Sequence, residues 1–197
     1  MERRIVAGVI TRCWWCGEDE LYCEYHDREW GVAVHDDRKM FEMLILEGFQ
    51  AGLSWIIILR KRDNFRKAFK NFDMRKVERF GKVDVTRLMK DAGIIRNRLK
   101  IQGAITNAKC FLEVQKEFGS FDRYIWRFTG NGTLRHPKGV TRKTMRPTSR
   151  ESDALSKDLK RRGFKFVGST VCYAHMQATG MVDDHVVECF KYRKRRK

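Results

Sequence analysis

Apolar residues recur at helical spacing along most of this chain. Over residues 36–50, Met40, Phe41, Leu44, Ile45 and Phe49 fall three and four apart and predict an amphipathic helix. Asp36 or Asp37 is placed to cap its first turn. Ala51-Gly52-Leu53-Ser54 interrupts the pattern, and Ser54 caps a second helix carrying Trp55, Ile58, Leu59, Phe65 and Phe69 to about residue 72. Asp84 opens another, with Val85, Leu88 and Met89 on one face, and Gly93 ends it as a left-handed cap residue. A long helix follows over 97–117, held in period by Ile101, Ile105, Ala108, Phe111 and Val114. Further helices are expected over 152–162 and 169–178, with a short one over 184–190. Only 165–167 reads as strand, and no internal repeat is visible. The expected fold class is all-α.

Composition narrows this picture. With 197 residues, 42% hydrophobic and 12% aromatic, the chain suits a single domain, 1–197, with a substantial core. Both prolines, Pro137 and Pro147, lie in 130–150, which also holds Arg135, Lys138, Arg142, Lys143, Arg146 and Arg150 with no acid among them. That segment reads as a basic loop. The net charge is +17; 191–197 form a basic tail, and the rest of the chain stays strongly basic. Such a body favours a polyanionic partner, nucleic acid first, over a merely solvated surface. No apolar run approaches the length of a membrane span, and Met1-Glu2-Arg3-Arg4 leads into none, so neither a span nor a secretory leader is expected. A cytoplasmic location follows. There, Cys13, Cys16, Cys23, Cys110, Cys172 and Cys189 read as metal ligands or buried thiols, not as a disulfide framework.

Three constellations carry candidate chemistry. Residues 88–101 form helix, tight turn, helix: Gly93 lets backbone N–H groups approach a phosphate, the next helix presents its positive end, and Arg96, Arg98 and Lys100 add charge. An ordinary turn between core helices is the alternative. Second, His185 and Cys189 lie four apart, so on a helix they share a face. Two ligands from among Cys13, Cys16, Cys23 and His26 would complete a closed tetrahedral Cys2His2 site of the structural kind, and spacing alone does not choose among the cysteines. Third, Glu47 sits in an apolar helix before a turn and Trp55, while Tyr22, Tyr25 and Trp30 cluster around His26. A buried carboxylate is costly without a task, and aromatic faces with one acid suit a flipped base. Leu53, between Gly52 and Ser54, is placed to wedge into the gap such a base leaves. Individually these aromatics read equally well as core.

Together the segments resemble one family. Tyr25-His26-Asp27-Arg28-Glu29-Trp30-Gly31-Val32, Leu46-Glu47-Gly48-Phe49-Gln50-Ala51-Gly52-Leu53-Ser54-Trp55, Asp91-Ala92-Gly93-Ile94-Ile95-Arg96, Arg162-Gly163-Phe164-Lys165-Phe166-Val167-Gly168 and Asp184-His185-Val186-Val187 are similar to those of the 3-methyladenine DNA glycosylase I family, constitutive alkylation-repair enzymes of bacteria. The resemblance runs from Cys13 to Cys189. It implies a helix-hairpin-helix glycosylase fold, with the hairpin element at about 84–117 and a terminal half, about 12–50 and 150–190, clamped by one structural zinc ion. The family's first cysteine lies thirteen residues before the motif histidine, so the implied ligands are Cys13, His26, His185 and Cys189, with Cys16 and Cys23 as bystanders. The implied pocket is Glu47 with Trp55, Tyr22, Tyr25 and Trp30. The implied DNA contacts are Gly52, Leu53, Gly93, Arg96, Arg98 and Lys100.

The implied reaction is hydrolysis of the N-glycosidic bond of 3-methyladenine in double-stranded DNA, by a monomer and without strand cleavage. Asp122, downstream of the hairpin, is read as structural. The leading segment 1–11, the basic 130–150 and the basic tail depart from the family pattern. Two alternatives are a zinc-stabilised nucleic-acid-binding protein without catalysis, and a glycosylase for another damaged base.

Overall fold

A computed structural model describes residues 10–192; the basic tail beyond Tyr192 and the first nine residues lie outside the described residues. Nine α-helices carry most of the described chain: α1 (Glu20–Arg28), α2 (Asp37–Gln50), α3 (Trp55–Ala68), α4 (Met74–Val77), α5 (Lys82–Lys90), α6 (Arg98–Phe118), α7 (Phe121–Ile125), α8 (Arg150–Arg161) and α9 (Ser169–Ala178). Several helices start where a short polar side chain accepts an orphan N–H, although Ser54, at the expected start of α3, makes no such side-chain bond and α9 begins after Gly168. Asp19 accepts from Tyr22, Asp36 from Lys39 and Asn97 from Lys100. Ser149 forms a capping box with Ser152, which starts α8 ahead of its expected first residue. Asp84 sits in the first turn of α5, where its carboxylate accepts from the Gly81 N–H.

The organising element is α2. Every residue from Met40 to Phe49 is buried, so this helix is covered all round. It packs against α3, α6, α7 and α9. Phe49, Phe65, Phe69, Phe72 and Phe41 form a ring-to-ring chain through this core, and Phe111 stacks on Phe121 with centroids 3.9 Å apart. One contiguous cluster extends from Cys13 to Cys189, so both ends of the described chain join the same core.

Four expectations are corrected. The fold is mostly helical but not purely so: β1 (Leu134–Arg135) pairs in parallel with β2 (Val182–Asp183). Residues 184–190 are not a helix. The chain leaves β2 extended, Val186 bridges to Val140, and a turn donates the Cys189 N–H to the Val186 carbonyl at 2.8 Å. The β-branched Val182, Val186 and Val187 suit that extended path better than a helix. Residues 165–167 are not a strand. Asn107 satisfies both the N–H and the carbonyl of Lys165, and Phe166 takes a φ of 56°. Finally, Gly93 is not a left-handed cap. It follows a turn in which its N–H donates to Asp91 Oδ1 at 2.8 Å, and a Cβ there would lie 2.9 Å from that oxygen and 3.1 Å from Asn64.

Candidate active site

Glu47 lies one turn before the end of α2 and is 4% exposed. It lines a cavity of about 230 Å³ together with Trp15, Tyr22, Tyr25, Trp30 and Trp55. Tyr22 and Tyr25, three apart on α1, project from one face of that helix. The Tyr25 ring sits 5.5 Å from Trp55, and Trp15 sits 5.0 Å from Tyr22 and 4.9 Å from Trp30. The site is thus a box of aromatic walls with a single acid in it. Sequence reasoning missed Trp15, because its place in the wall depends on the short 3-10 turn Trp14–Cys16 folding back over α1. Its nearness to Cys13 was the one available signal. A larger cavity, lined by Arg12, Glu24, Asp27 and Arg28 with Trp14 as its one aromatic, has no comparable aromatic box.

Burial dominates the electrostatics. Removing Glu47 from water raises its pKa to about 8, since a carboxylate loses more hydration than a neutral acid. Burial pushes Tyr22 up to about 12, and Tyr25 well above the usual phenol range, with the nearby Glu47 adding to both. At neutral pH the walls are therefore uncharged and Glu47 is poised to titrate. A cation entering the box would favour the carboxylate form and gain from the ring faces as well.

Behind Trp30 lies the second cluster. Trp30 is stacked on His26 and meets the His185 ring edge-on at 4.7 Å. Cys13, His26, His185 and Cys189 are all buried, and their ligand atoms lie within 4.8 Å of one another. Cys13 Sγ is 3.6 Å from His185 Nδ1, and Cys189 Sγ is 3.4 Å from His26 Nε2 and 3.6 Å from His185 Nδ1. A tetrahedral ion with zinc's bond lengths sets a sulfur–nitrogen edge of about 3.5 Å, so the four donors fit such an ion. Support from outside the cluster fits too. With His26 Nε2 turned inward, its Nδ1–H donates to Asp27 at 2.7 Å, and Arg12 holds that carboxylate by three hydrogen bonds of 2.8–3.0 Å. Cys16 and Cys23 turn away, their thiols donating to the carbonyls of Cys13 and Gly17. The His185 and Cys189 pair converges through the turn after β2, not along a helix face.

The hairpin residues divide. Arg96 and Arg98 are exposed at the start of α6. Lys100 is not available there. It is 9% exposed, and its Nζ donates to the carbonyls of Phe49 at 2.8 Å and Ala51 at 2.6 Å. The Gly93 N–H is already taken by Asp91. Leu53 stands 38% exposed on the turn after α2, beside Gly52, whose φ of 82° requires glycine. Asp122 pairs with His35 at 2.8 Å, outside the aromatic box, in keeping with a structural part.

The methyladenine glycosylase family model matches residues 15–192, and the chain belongs to that family. It is 51% identical over 187 residues to DNA-3-methyladenine glycosylase 1 of Escherichia coli strain K12, covering 93% of this chain and 97% of that protein. A crystal structure of a 3-methyladenine DNA glycosylase I superposes with a TM-score of 0.88 at 45% identity, covering 93% of this chain and all of the other. A variant of such an enzyme solved in complex with 3-methyladenine gives a TM-score of 0.86 at 30% identity, covering 92% and 97%.

Proposed function

We propose that this chain is a base-excision-repair DNA glycosylase that hydrolyses the N-glycosidic bond of 3-methyladenine. The observation that carries the reading is the aromatic box closed around a single buried acid, Glu47. Methylation at N3 makes the base in DNA cationic, so it departs as a neutral ring when its bond to C1′ of the sugar breaks. Water then adds its oxygen to C1′ and releases a proton. The protein needs little acid help for such a leaving group. Trp55, Tyr22, Tyr25, Trp30 and Trp15 stack on and exclude water from the ring, while Glu47 hydrogen-bonds its edge and favours the cation over normal adenine. The cavity lining contains no lysine, which supports a monofunctional enzyme without Schiff-base strand cleavage. The same lining argues against a purely nucleic-acid-binding protein.

Cys13, His26, His185 and Cys189 hold a structural zinc ion in this reading, tying the first described turn to the last described residues. With four protein ligands it leaves no open position for chemistry. The chain works as one domain, with the hairpin of α5 and α6 and the terminal half built around that clamp. Leu53 wedges into the duplex on the Gly52 turn, and Arg96 and Arg98 meet the DNA backbone. Among the described residues no helix is long and apolar enough to cross a membrane. All six cysteines are free, which suits a reducing cytoplasm, and we read the working form as a monomer.

The test is chromatography of bases released from alkylated DNA. Release of 3-methyladenine by the wild type, lost in Glu47→Ala with the fold retained, is the expected result. Wild-type release by that variant would sink the role of Glu47. Release of some other base alone would shift the substrate.

A further inference from the structure

We propose that Arg142 and Arg146 form a phosphate clamp at the mouth of the pocket, gripping the DNA strand that carries the extruded nucleotide. The inference rests on the glycosylase reading and extends it to the basic segment between β1 and α8.

A second groove, of about 400 Å³, runs directly on from the aromatic box. Trp14, Met145, Ala174 and Gln177 line both, so the two cavities share a wall. Arg142 and Arg146 line the groove but not the box. The Arg142 guanidinium lies over the Trp14 ring at 5.7 Å, which holds a long cationic side chain beside the opening. Both arginines are exposed.

Like Arg96 and Arg98 of the hairpin, and unlike the arginines that the fold itself engages, these two are exposed without a carboxylate partner among the described residues. Arg60 pairs with Asp19, Arg66 with Glu42 and Arg162 with Glu117, each at 2.6–2.7 Å. Arg135, from the same basic segment, is engaged by Asp183 at 3.0 Å. Among the described residues, Arg142 and Arg146 form no ion pair with a carboxylate, and 130–150 contains no acid that could supply one. What sets them apart from the other unpaired arginines is their place: both line the groove that continues the aromatic box, where they present two un-neutralised positive charges to an external anion.

Chemistry identifies that anion. A nucleotide that swings its base into the box stays tied to the strand through its 3′ and 5′ phosphates. Those phosphates must pass the pocket mouth, where the two guanidinium groups can each take one through paired N–H donors. Such contacts position the strand and carry no sequence information.

The experiment measures binding of a labelled duplex bearing a tetrahydrofuran abasic analogue, from 50 to 200 mM salt, for wild type, an R142A/R146A double variant and an R142K/R146K double variant. Loss of two phosphate contacts lowers the slope of log K against log salt by about 1.8 in the alanine variant, with affinity down about tenfold or more at low salt. The lysine variant keeps most of the wild-type slope, because charge and not packing carries the contact. Binding of free 3-methyladenine, followed by tryptophan fluorescence, stays within about twofold in both variants. An unchanged slope in the alanine variant overturns the proposal. So does loss of free-base binding in it, which would make the arginines part of the box. Absence of base release by the wild type would instead strike the glycosylase reading, and leave the salt slope to judge the clamp.

Discussion

The ammonium nitrogen of Lys100 lies 2.6 Å from the carbonyl oxygen of Ala51. One side chain thereby joins the first turn of α6, in the hairpin, to the turn that carries Gly52 and Leu53. It also caps the Phe49 carbonyl at the end of the helix bearing Glu47. A cation at a helix C-terminus complements the partial negative charge of its unsatisfied carbonyls.

Lys100→Met should leave those carbonyls without their charged donor. We expect a stability loss of about 1–3 kcal/mol, together with slower excision as the Leu53 turn loosens. Urea denaturation and single-turnover base release check both. Unchanged stability would show that the clamp contributes nothing net.

Glu47 gives a pH signature. Its folded pKa, about 8, stands above its unfolded value near 4.5, so the folded state binds the extra proton. Its contribution to stability is complete below about pH 4.5 and is lost as pH rises through 8. Glu47→Gln should therefore gain on wild type across that window, by on the order of several kcal/mol at pH 9, while excision falls by about 100-fold or more. Denaturation midpoints of the two proteins at pH 5, 7 and 9 read the first effect. Parallel curves would mean that the acid is hydrated in the folded protein.

His175 predicts the opposite slope. It is fully buried on α9, neither ring nitrogen has a partner among the described residues, and burial holds its pKa down at about 4. The unfolded chain takes up a proton near pH 6.5 that the folded protein refuses until about 4, so stability falls as pH drops through that range. His175→Phe removes the penalty, worth about 3 kcal/mol by pH 4. The difference in midpoint between variant and wild type should widen from pH 7 to pH 4.5; a constant difference would rule out the uncharged, buried imidazole.

The metal reading predicts one zinc per chain by elemental analysis, lost in Cys13→Ala or His185→Ala. Loss of the clamp should lower the melting temperature by on the order of 10 °C. Cys16→Ala and Cys23→Ala should keep the metal, because those thiols face carbonyls outside the cluster. Full zinc content in the Cys13 variant would contradict the assignment.

Much of this protein was determined by sequence alone, wherever the physics is local. The helices α2, α3, α6 and α9 follow from the sequence pattern, and the start of α2 from an aspartate at 36 or 37, of which Asp36 makes the bond. The family motifs likewise led to the four cluster residues and to Glu47 with four of its aromatic neighbours. Tertiary structure decided what depends on contacts between distant segments. The bridge from Val186 to Val140 turned 184–190 away from a helix, across some forty residues of sequence. Asn107 drew 165–167 out of a strand by satisfying the Lys165 backbone. Trp15 entered the box only because its turn folds over α1. Lys100 reads in sequence as one more hairpin cation, like Arg96 and Arg98, since charge pattern does not reveal which way a side chain points. The orphan carbonyls at the end of α2 lie within its reach only once α6 packs there, and that packing turned its charge from the hairpin surface to the interior.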